Sequence, residues 1–314
     1  MKTQNSITAL PGDPPSELAL AAPHAKPSSD PAERRKRRCQ AFTLTELIVV
    51  IAAVVLLGSI SLTAMSSSKD SVQAVTCVDN VQQLTRAWKM YAADNHGNLV
   101  GNGEEGNQSE AQWAVGALSY GADNRDNTNI NNFVRFQPSA GYHGGQLGNY
   151  LDRDYRVFKC PSDPVLSLVG GQKYPRVRSV SMNGWVGASW GLQWDSGGVV
   201  AHRITDIINP GPSDTWIFHD ERPDSINDGY FVVSMTSTMS PDMPASYHFG
   251  GSANAYADGH AEIHLWKTAP FSRQDVNAPN WQQTYGGGAF PNNVDRGWIQ
   301  SHSGQFSRSF IAIP

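Results

Sequence analysis

The sequence predicts an α+β fold in which one long N-terminal helix packs on an antiparallel β-sheet with large loops. A continuous apolar run at residues 42–62 has about the length that a helix needs to cross a bilayer. Apolar residues then recur every three or four positions between Cys77 and Tyr91, which is typical of a helix with one buried face. After this helix, short β-rich runs alternate with turn residues.

These patterns divide the chain into four segments. Residues 1–41 are predicted to be a disordered basic leader, 42–65 the transmembrane half of the helix, 66–97 its exported half, and 98–314 a β-rich globular domain. Basic residues at 34–38 precede the apolar run and, by the positive-inside rule, hold the N-terminus in the cytoplasm. We therefore expect a single-pass membrane protein whose C-terminal domain is exported.

Glu46 lies inside the apolar run, where an ionised carboxylate is costly and suggests a function. The alternative is that its side chain reaches the headgroups of a plain membrane anchor. The surrounding residues, RCQA at 38–41 followed by FTLTELIVV at 42–50, resemble the class III signal of type IV pilins and type II secretion pseudopilins. The chain has Ala41 where that family prefers Gly.

The resemblance implies a fold, a processing route and a function. The fold would be pilin-like. A prepilin peptidase/methyltransferase would cut between Ala41 and Phe42 and methylate Phe42, and Glu46 would pair with Phe42 of the next subunit during assembly. The protein would be a structural subunit rather than an enzyme. It would lie in the bacterial inner membrane and assemble with other subunits, through the N-terminal helix, into a type II secretion pseudopilus or a type IV pilus-like filament in the periplasm or at the cell surface.

His248 is followed by nine residues and then Asp258-Gly259. This H-x9-D-G spacing resembles the C-terminal signature of a pseudopilin-like family that carries the same N-terminal signal. The segment FKCPSD at 158–163 belongs to the same resemblance. We interpret the motif structurally, with Asp258-Gly259 forming a turn and His248 anchoring the loop before it. A catalytic His248–Asp258 pair is the alternative.

Charge divides unevenly along the chain. The whole sequence has 24 Lys/Arg and 28 Asp/Glu. Seven of the Lys/Arg and four of the Asp/Glu lie in residues 1–41, which leaves 17 Lys/Arg and 24 Asp/Glu after the leader. An acidic mature protein argues against nucleic acid as a partner.

Cys77 and Cys160 both follow the predicted membrane span. An even number of cysteines in an oxidising compartment favours a disulfide bond between them. Two unrelated buried thiols are the alternative.

The densest acidic stretch is a candidate calcium site, because closely spaced oxygen ligands suit Ca²⁺. Its residues are Asp220, Glu221, Asp224 and Asp228. Turn residues with a local ion pair to Arg222 are the alternative. No other cofactor is indicated.

Asp258-Gly259 between two alternating runs predicts a β-hairpin with a two-residue turn. That turn would pair Tyr256 with Ala261. It would also place His260, Glu262 and His264 on one strand face, which is either a solvated face or a metal-binding face. Further strands are predicted at 156–160, 199–204, 215–219 and 230–234.

Three tryptophans lie close together, at Trp185, Trp190 and Trp194. If they are exposed, they indicate glycan binding by aromatic stacking; if they are buried, they belong to a core or subunit interface. A cell-surface adhesin or glycan-binding protein that uses pilin-type export is therefore the alternative function.

Overall fold

A computed structural model describes most of the chain after residue 41. The described residues are 42–103, 111–119, 123–134, 145–187, 197–272 and 288–306, with residues 58–68 as backbone. The chain separates into two compact units, Met1–Leu56 and Leu57–Pro314. Helix α1 (Leu44–Asp94) begins in the first unit and ends in the second.

Helix α1 begins with a reciprocal capping arrangement. The backbone N–H of Thr43 donates to Glu46 Oε2 at 2.8 Å, and the backbone N–H of Glu46 donates to Thr43 Oγ1 at 3.2 Å. This is the capping box that a T-x-x-E sequence forms at a helix N-terminus. Glu46 therefore has a local structural role, independent of any partner.

The predicted membrane span is not found. Within the part of the chain that the structure describes, no helix is both long and apolar enough to cross a bilayer. Because a span needs about 20 consecutive, predominantly apolar helical residues, the expected single-pass inner-membrane localisation is wrong.

In the second unit, α1 has the buried face that the sequence predicts. Cys77, Val81, Leu84 and Trp88 have no exposed surface. The helix ends before Gly97, which has a φ of 83° and whose N–H donates to the carbonyl of Ala92 at 2.7 Å. This i→i−5 bond is that of the C″ residue in a Schellman motif, so the left-handed C′ residue is His96, which has a φ of 59°. The predicted buried face is confirmed, and the helix ends at Asp94, close to the predicted boundary.

The strands are short, from two to six residues. In chain order they are β1 (Leu166–Val169), β2 (Gln172–Pro175), β3 (Val180–Asn183), β4 (Gly198–Val199), β5 (Trp216–Asp220), β6 (Tyr230–Phe231), β7 (Met239–Ser240), β8 (Gly251–Tyr256), β9 (Ala261–Leu265), β10 (Gly288–Ala289) and β11 (Gln305–Phe306). Five of them form the main sheet in the order β6-β3-β5-β8-β9, and β1-β2, β7-β10 and β4-β11 are separate pairs.

Short helical segments connect the strands. They are α2 (Asn131–Val134), α3 (Val294–Ser303) and the 3₁₀ segments Arg125–Thr128, Gln146–Tyr150, Tyr155–Phe158 and Ile204–Asp206. The predicted strand at 156–160 is thus mostly a 3₁₀ turn. Asp154 caps it, because its carboxylate accepts the backbone N–H of Arg156.

The predicted pilin-like fold class is wrong. The described residues form mostly short strands and loops with few helices, and the main sheet is mixed, because β3 and β6 run parallel while its other pairs are antiparallel. The 29 glycines and 19 prolines of the chain help to explain why extended runs stop after a few residues. Local periodicity predicts the strand at 215–219 and the hairpin within 253–266, but not the pairing of β5 with β8 or of β3 with β6.

Two apolar clusters lie on the main sheet. Ala253 and Ala255 belong to the cluster that contains the buried face of α1, whereas Tyr256 belongs to a second cluster with Trp216 and Ile299. Alternate residues of a strand point to opposite faces, so β8 separates the two clusters. The first cluster surrounds the site described below.

The β8–β9 hairpin forms as predicted, but its register differs by one residue. Ala255 pairs with Ala261, and the N–H of Tyr256 donates to the carbonyl of His260 at 2.9 Å. The loop therefore contains three residues, Ala257 to Gly259, and Gly259 adopts a φ of 107°. A three-residue hairpin with a left-handed glycine at its end is the alternative to the predicted two-residue turn.

The turn gives a test of this backbone assignment. Gly259→Ala is expected to lower the free energy of unfolding by about 1–2 kcal/mol, because an L-residue is strained at positive φ. The urea midpoint measures the effect. Gly211→Ala is the matched control, since no atom lies within 4 Å of an added Cβ at Gly211 and its φ is not in the left-handed region. Equal midpoints for the two variants would contradict the assigned turn.

Candidate functional site

Four chemically reactive side chains meet inside the second unit. They are Cys77 of α1, Cys160 after the 3₁₀ segment Tyr155–Phe158, Asp220 at the end of β5, and His248 in the turn before β8. One side-chain atom from each lies within 4.8 Å of all the others, and all four residues are buried. We call this group the C2DH cluster.

Asp220 is the central member of the C2DH cluster. The thiol of Cys77 donates to Asp220 Oδ1 at 3.2 Å and to Oδ2 at 3.1 Å. Asp220 Oδ2 also accepts the backbone N–H of Ala253 at 3.1 Å. The helix and two neighbouring strands are therefore joined through one carboxylate.

Cys160 and His248 complete the cluster. Cys160 Sγ lies 3.1 Å from His248 Nε2, which in turn lies 3.5 Å from Asp220 Oδ2. Phe249 and Gly250 have φ values of 55° and 87°, and His248 and Gly251 exchange backbone hydrogen bonds around them. This tight turn between His248 and Gly251 fixes the imidazole over the cluster.

The electrostatics of the cluster do not favour Cys77 as a nucleophile. Burial raises the pKa of Cys77 well above its usual range, with the neighbouring Cys160 and Asp220 adding to the effect. Burial opposes the charge of His248, but hydrogen bonds to Asp220 and Cys160 outweigh it and raise the pKa of His248 to about 10. A nucleophilic cysteine needs a depressed pKa and access to substrate, and the buried Cys77 has neither.

The two ends of the H-x9-D-G motif have different partners. His248 belongs to the cluster, whereas Asp258 is partly exposed and lies 2.7 Å from His260 Nδ1. Lys89 donates to the Asp258 carbonyl at 2.6 Å, and Gln82 donates to the carbonyl of Gly259 at 3.2 Å. The motif thus places the hairpin turn against α1 and the imidazole in the cluster, and Asp258 makes its side-chain contact with His260.

The candidate calcium ligands have separate partners. Asp220 belongs to the C2DH cluster, and Glu221 accepts hydrogen bonds from the hydroxyls of Ser181 and Ser225. Asp224 pairs with Arg222 at 2.9 Å, the local ion pair that the sequence offered as the alternative. Asp228 accepts the backbone N–H of Tyr230 at 2.8 Å. The described geometry gives no converging oxygen site, and calcium stays a prediction without structural support.

The two cysteines of the predicted disulfide lie close together in the structure. Cys77 and Cys160 are buried free thiols whose sulfur atoms lie within 4.8 Å of each other. Both belong to the apolar cluster that contains the buried face of α1. The bond itself stays a prediction.

The other sequence candidates have structural roles. His260 stacks on Tyr256, and His264 stacks on Trp298 with ring centroids 3.7 Å apart. Both imidazoles therefore pack against aromatic rings. Trp185 is buried, and its indole N–H donates to the carbonyl of Val233 at 2.8 Å. Trp190, Trp194 and the processing residue Ala41 lie outside the described residues.

Sequence reasoning identified every member of the C2DH cluster but assigned them to three different sites. Cys77 and Cys160 were assigned to a disulfide, Asp220 to calcium and His248 to a motif. No local spacing connects positions 77 and 248. The pairing of β5 with β8 brings Asp220 close to His248, and the packing of α1 and of the loop at Cys160 on the sheet adds the two cysteines. The sequence therefore shows each of the four residues as a candidate, but it does not show that they form a single site.

Comparison with known proteins gives no further assignment. No family model matches the chain, and neither the curated proteins nor the solved structures contain a match.

Proposed function

We propose that the chain is a structural, pseudopilin-type subunit that is processed between Ala41 and Phe42 and assembles through its N-terminal helix. The observation that carries the proposal is the exposed apolar surface of the first unit. Its exposed residues are Phe42, Leu44, Leu47, Ile48, Val49, Val50, Ile51, Val54, Val55 and Leu56, each with between 49% and 76% of its surface accessible. From Leu44 onward these residues occupy successive positions of the helix, so they lie on all its sides rather than along one face.

A helix that is apolar on all sides is stable only when other apolar surface covers it. The occupant we assign is the same segment of further copies of this chain. Such a contact joins successive copies head to tail, with different surfaces of the helix meeting in each copy. A head-to-tail contact of this kind builds a filament when the rotation between copies does not close into a ring. A type II secretion pseudopilus or a type IV pilus-like filament is the assembly that the N-terminal signal implies.

Glu46 has two candidate roles in this assembly. Hydrogen bonds from the backbone and hydroxyl of Thr43 lower the pKa of Glu46, so the carboxylate is ionised at neutral pH. The charge can pair with the methylated amine of Phe42 in a neighbouring subunit, or it can serve only the capping box of its own helix. A glutamine side chain keeps an oxygen acceptor for the capping box but has no charge.

Processing is tested by co-expressing the full chain with a prepilin peptidase and measuring its intact mass. The expected product begins at methylated Phe42. Ala41→Arg, which replaces the small residue before the cut, is expected to remain full length. An unprocessed wild-type chain that nevertheless assembles would contradict the proposal.

Glu46→Gln is expected to abolish filaments while leaving the folded subunit intact, because it removes the charge that pairs between subunits. Glu46→Ala removes the charge and the cap, and is expected to fail in the same way. Electron microscopy and sedimentation of the processed chain measure assembly. Normal filaments from Glu46→Gln together with defective ones from Glu46→Ala would show that Glu46 acts only through the capping box, and would contradict the pairing of its charge between subunits.

A further inference from the structure

We infer that the C2DH cluster binds one Zn²⁺ ion through Cys77, Cys160, Asp220 and His248, and that this ion is a structural metal. The inference is independent of the proposed assembly function. It rests on the donor atoms, their separations and their burial.

The donor set matches the chemistry of zinc. Thiolate sulfur, imidazole nitrogen and carboxylate oxygen are the three ligand types that proteins use for Zn²⁺. Two sulfur donors select against the hard cations Ca²⁺ and Mg²⁺, which take oxygen ligands. The same cluster is therefore a poor calcium site, although Asp220 belongs to the acidic stretch that suggested calcium.

The separations are close to those of a tetrahedral site. With zinc–ligand bonds of about 2.0–2.3 Å, neighbouring donor atoms of a tetrahedron lie about 3.3–3.8 Å apart. Cys77 Sγ lies 3.1 Å from Asp220 Oδ2, Cys160 Sγ lies 3.1 Å from His248 Nε2, and the Nε2 atom lies 3.5 Å from Asp220 Oδ2. Small side-chain movements would be enough to admit an ion.

The ligands are held by contacts outside the cluster. The N–H of Cys160 donates to Ser179 Oγ at 2.7 Å, and Asp220 Oδ2 accepts the N–H of Ala253 at 3.1 Å. Such supporting contacts orient metal ligands before the ion binds. Lys159 and Pro161, the chain neighbours of Cys160, line a groove of ≈ 750 Å³, whereas the four ligands themselves are buried.

Four protein ligands leave no open coordination position, which is the pattern of a structural rather than a catalytic zinc site. The ion would join α1, the loop after the 3₁₀ segment, β5 and the turn before β8. Binding replaces the thiol protons of Cys77 and Cys160 and the Nε2 proton of His248 by bonds to the metal, and the released protons pass to the buffer. A Cys77–Cys160 disulfide would consume both sulfur ligands, so the bond and the ion exclude each other.

The full chain, purified under reducing conditions without added metal, is the material for the test. We expect about one zinc per chain by elemental analysis, and a fall in melting temperature when a chelator removes it. Replacement by Co²⁺ is expected to give the visible bands of a tetrahedral ion and the near-ultraviolet charge-transfer band of a thiolate ligand. These readouts use the wild-type chain and do not depend on a variant that folds.

Variants then assign the ligands. Cys160→Ser and His248→Asn are each expected to lower zinc affinity by more than about 100-fold, since changes of residues that only support a metal ligand already cost about 10–100-fold. Asp224→Asn is the matched control, because it removes a buried carboxylate that pairs with Arg222 instead. It is expected to bind zinc as the wild type does.

Three results would overturn the inference. One is a reduced, folded wild-type chain that takes up neither Zn²⁺ nor Co²⁺. Another is a Cys77–Cys160 disulfide whose reduction gives free thiols but no metal binding. The third is zinc binding that persists in both Cys160→Ser and His248→Asn.

Discussion

Arg176→Met is expected to lower the free energy of unfolding by about 3–5 kcal/mol, because it leaves a buried carboxylate without its partner. Arg176 and Asp163 have completely buried side chains, and Arg176 Nη2 lies 3.2 Å from Asp163 Oδ2. Arg176 Nη1 donates to the carbonyl of Pro223 at 3.0 Å. Burial opposes the charge of Arg176, but the Asp163 carboxylate outweighs it and raises the pKa of Arg176.

Two comparisons separate the lost pairing from the lost side chain. The double variant Arg176→Met with Asp163→Leu removes both charges, so it is expected to regain much of the stability. Arg156→Met breaks the pair with Asp154, where the Arg156 side chain is 79% exposed, and is expected to have little effect. Denaturant unfolding measures all four chains. A double variant no more stable than Arg176→Met would show that the cost is not an unpaired charge.

Features set by neighbouring residues could be predicted from the sequence. The buried face of α1 follows from the spacing of Cys77, Val81, Leu84 and Trp88, and the helix ends just before His96 and Gly97, which both have positive φ. The β8–β9 hairpin follows from Asp-Gly between alternating runs. Its register did not, because Asp-Gly fits both a two-residue turn and the last two positions of a three-residue turn, with Gly259 at the end of the loop in each case.

Features set by distant contacts could not be predicted. The parallel pairing of β3 with β6 depends on a long connection, and no local pattern encodes it. The C2DH cluster likewise needs α1, β5 and the turn at His248 to be placed by the whole fold. Hydropathy over 42–62 suggested a membrane span, whereas the described helix does not provide one.

His219 makes the free energy of unfolding depend on pH. It lies in β5, is almost completely buried, stacks on Trp216 and packs edge-to-face against Phe231, with ring centroids 4.2 Å away in each case. Neither ring nitrogen has a hydrogen bond of good geometry. Burial lowers the pKa of His219 to about 3, and the side chain of Asn254 offsets this only in part.

The sign of the effect follows from proton binding. The unfolded chain protonates this histidine below about pH 6.5, whereas the folded chain keeps it neutral down to about pH 3. The unfolded state then binds more protons, so His219 destabilises the fold as the pH falls through this window. Glu221 acts in the opposite direction at higher pH, because burial raises its pKa well above the usual range.

Because these groups overlap, the expected result is a difference between two chains. Relative to His219→Phe, which retains an aromatic ring and cannot titrate, the wild type should lose about 3–4 kcal/mol between pH 6.5 and pH 3.5. Urea unfolding at each pH measures this difference, in which the contribution of Glu221 cancels. His202→Phe, at an exposed position, is the control and is expected to follow the wild-type curve. A wild-type curve parallel to that of His219→Phe across this window would mean that His219 is protonated in the folded protein, and would contradict its burial as a neutral ring between Trp216 and Phe231.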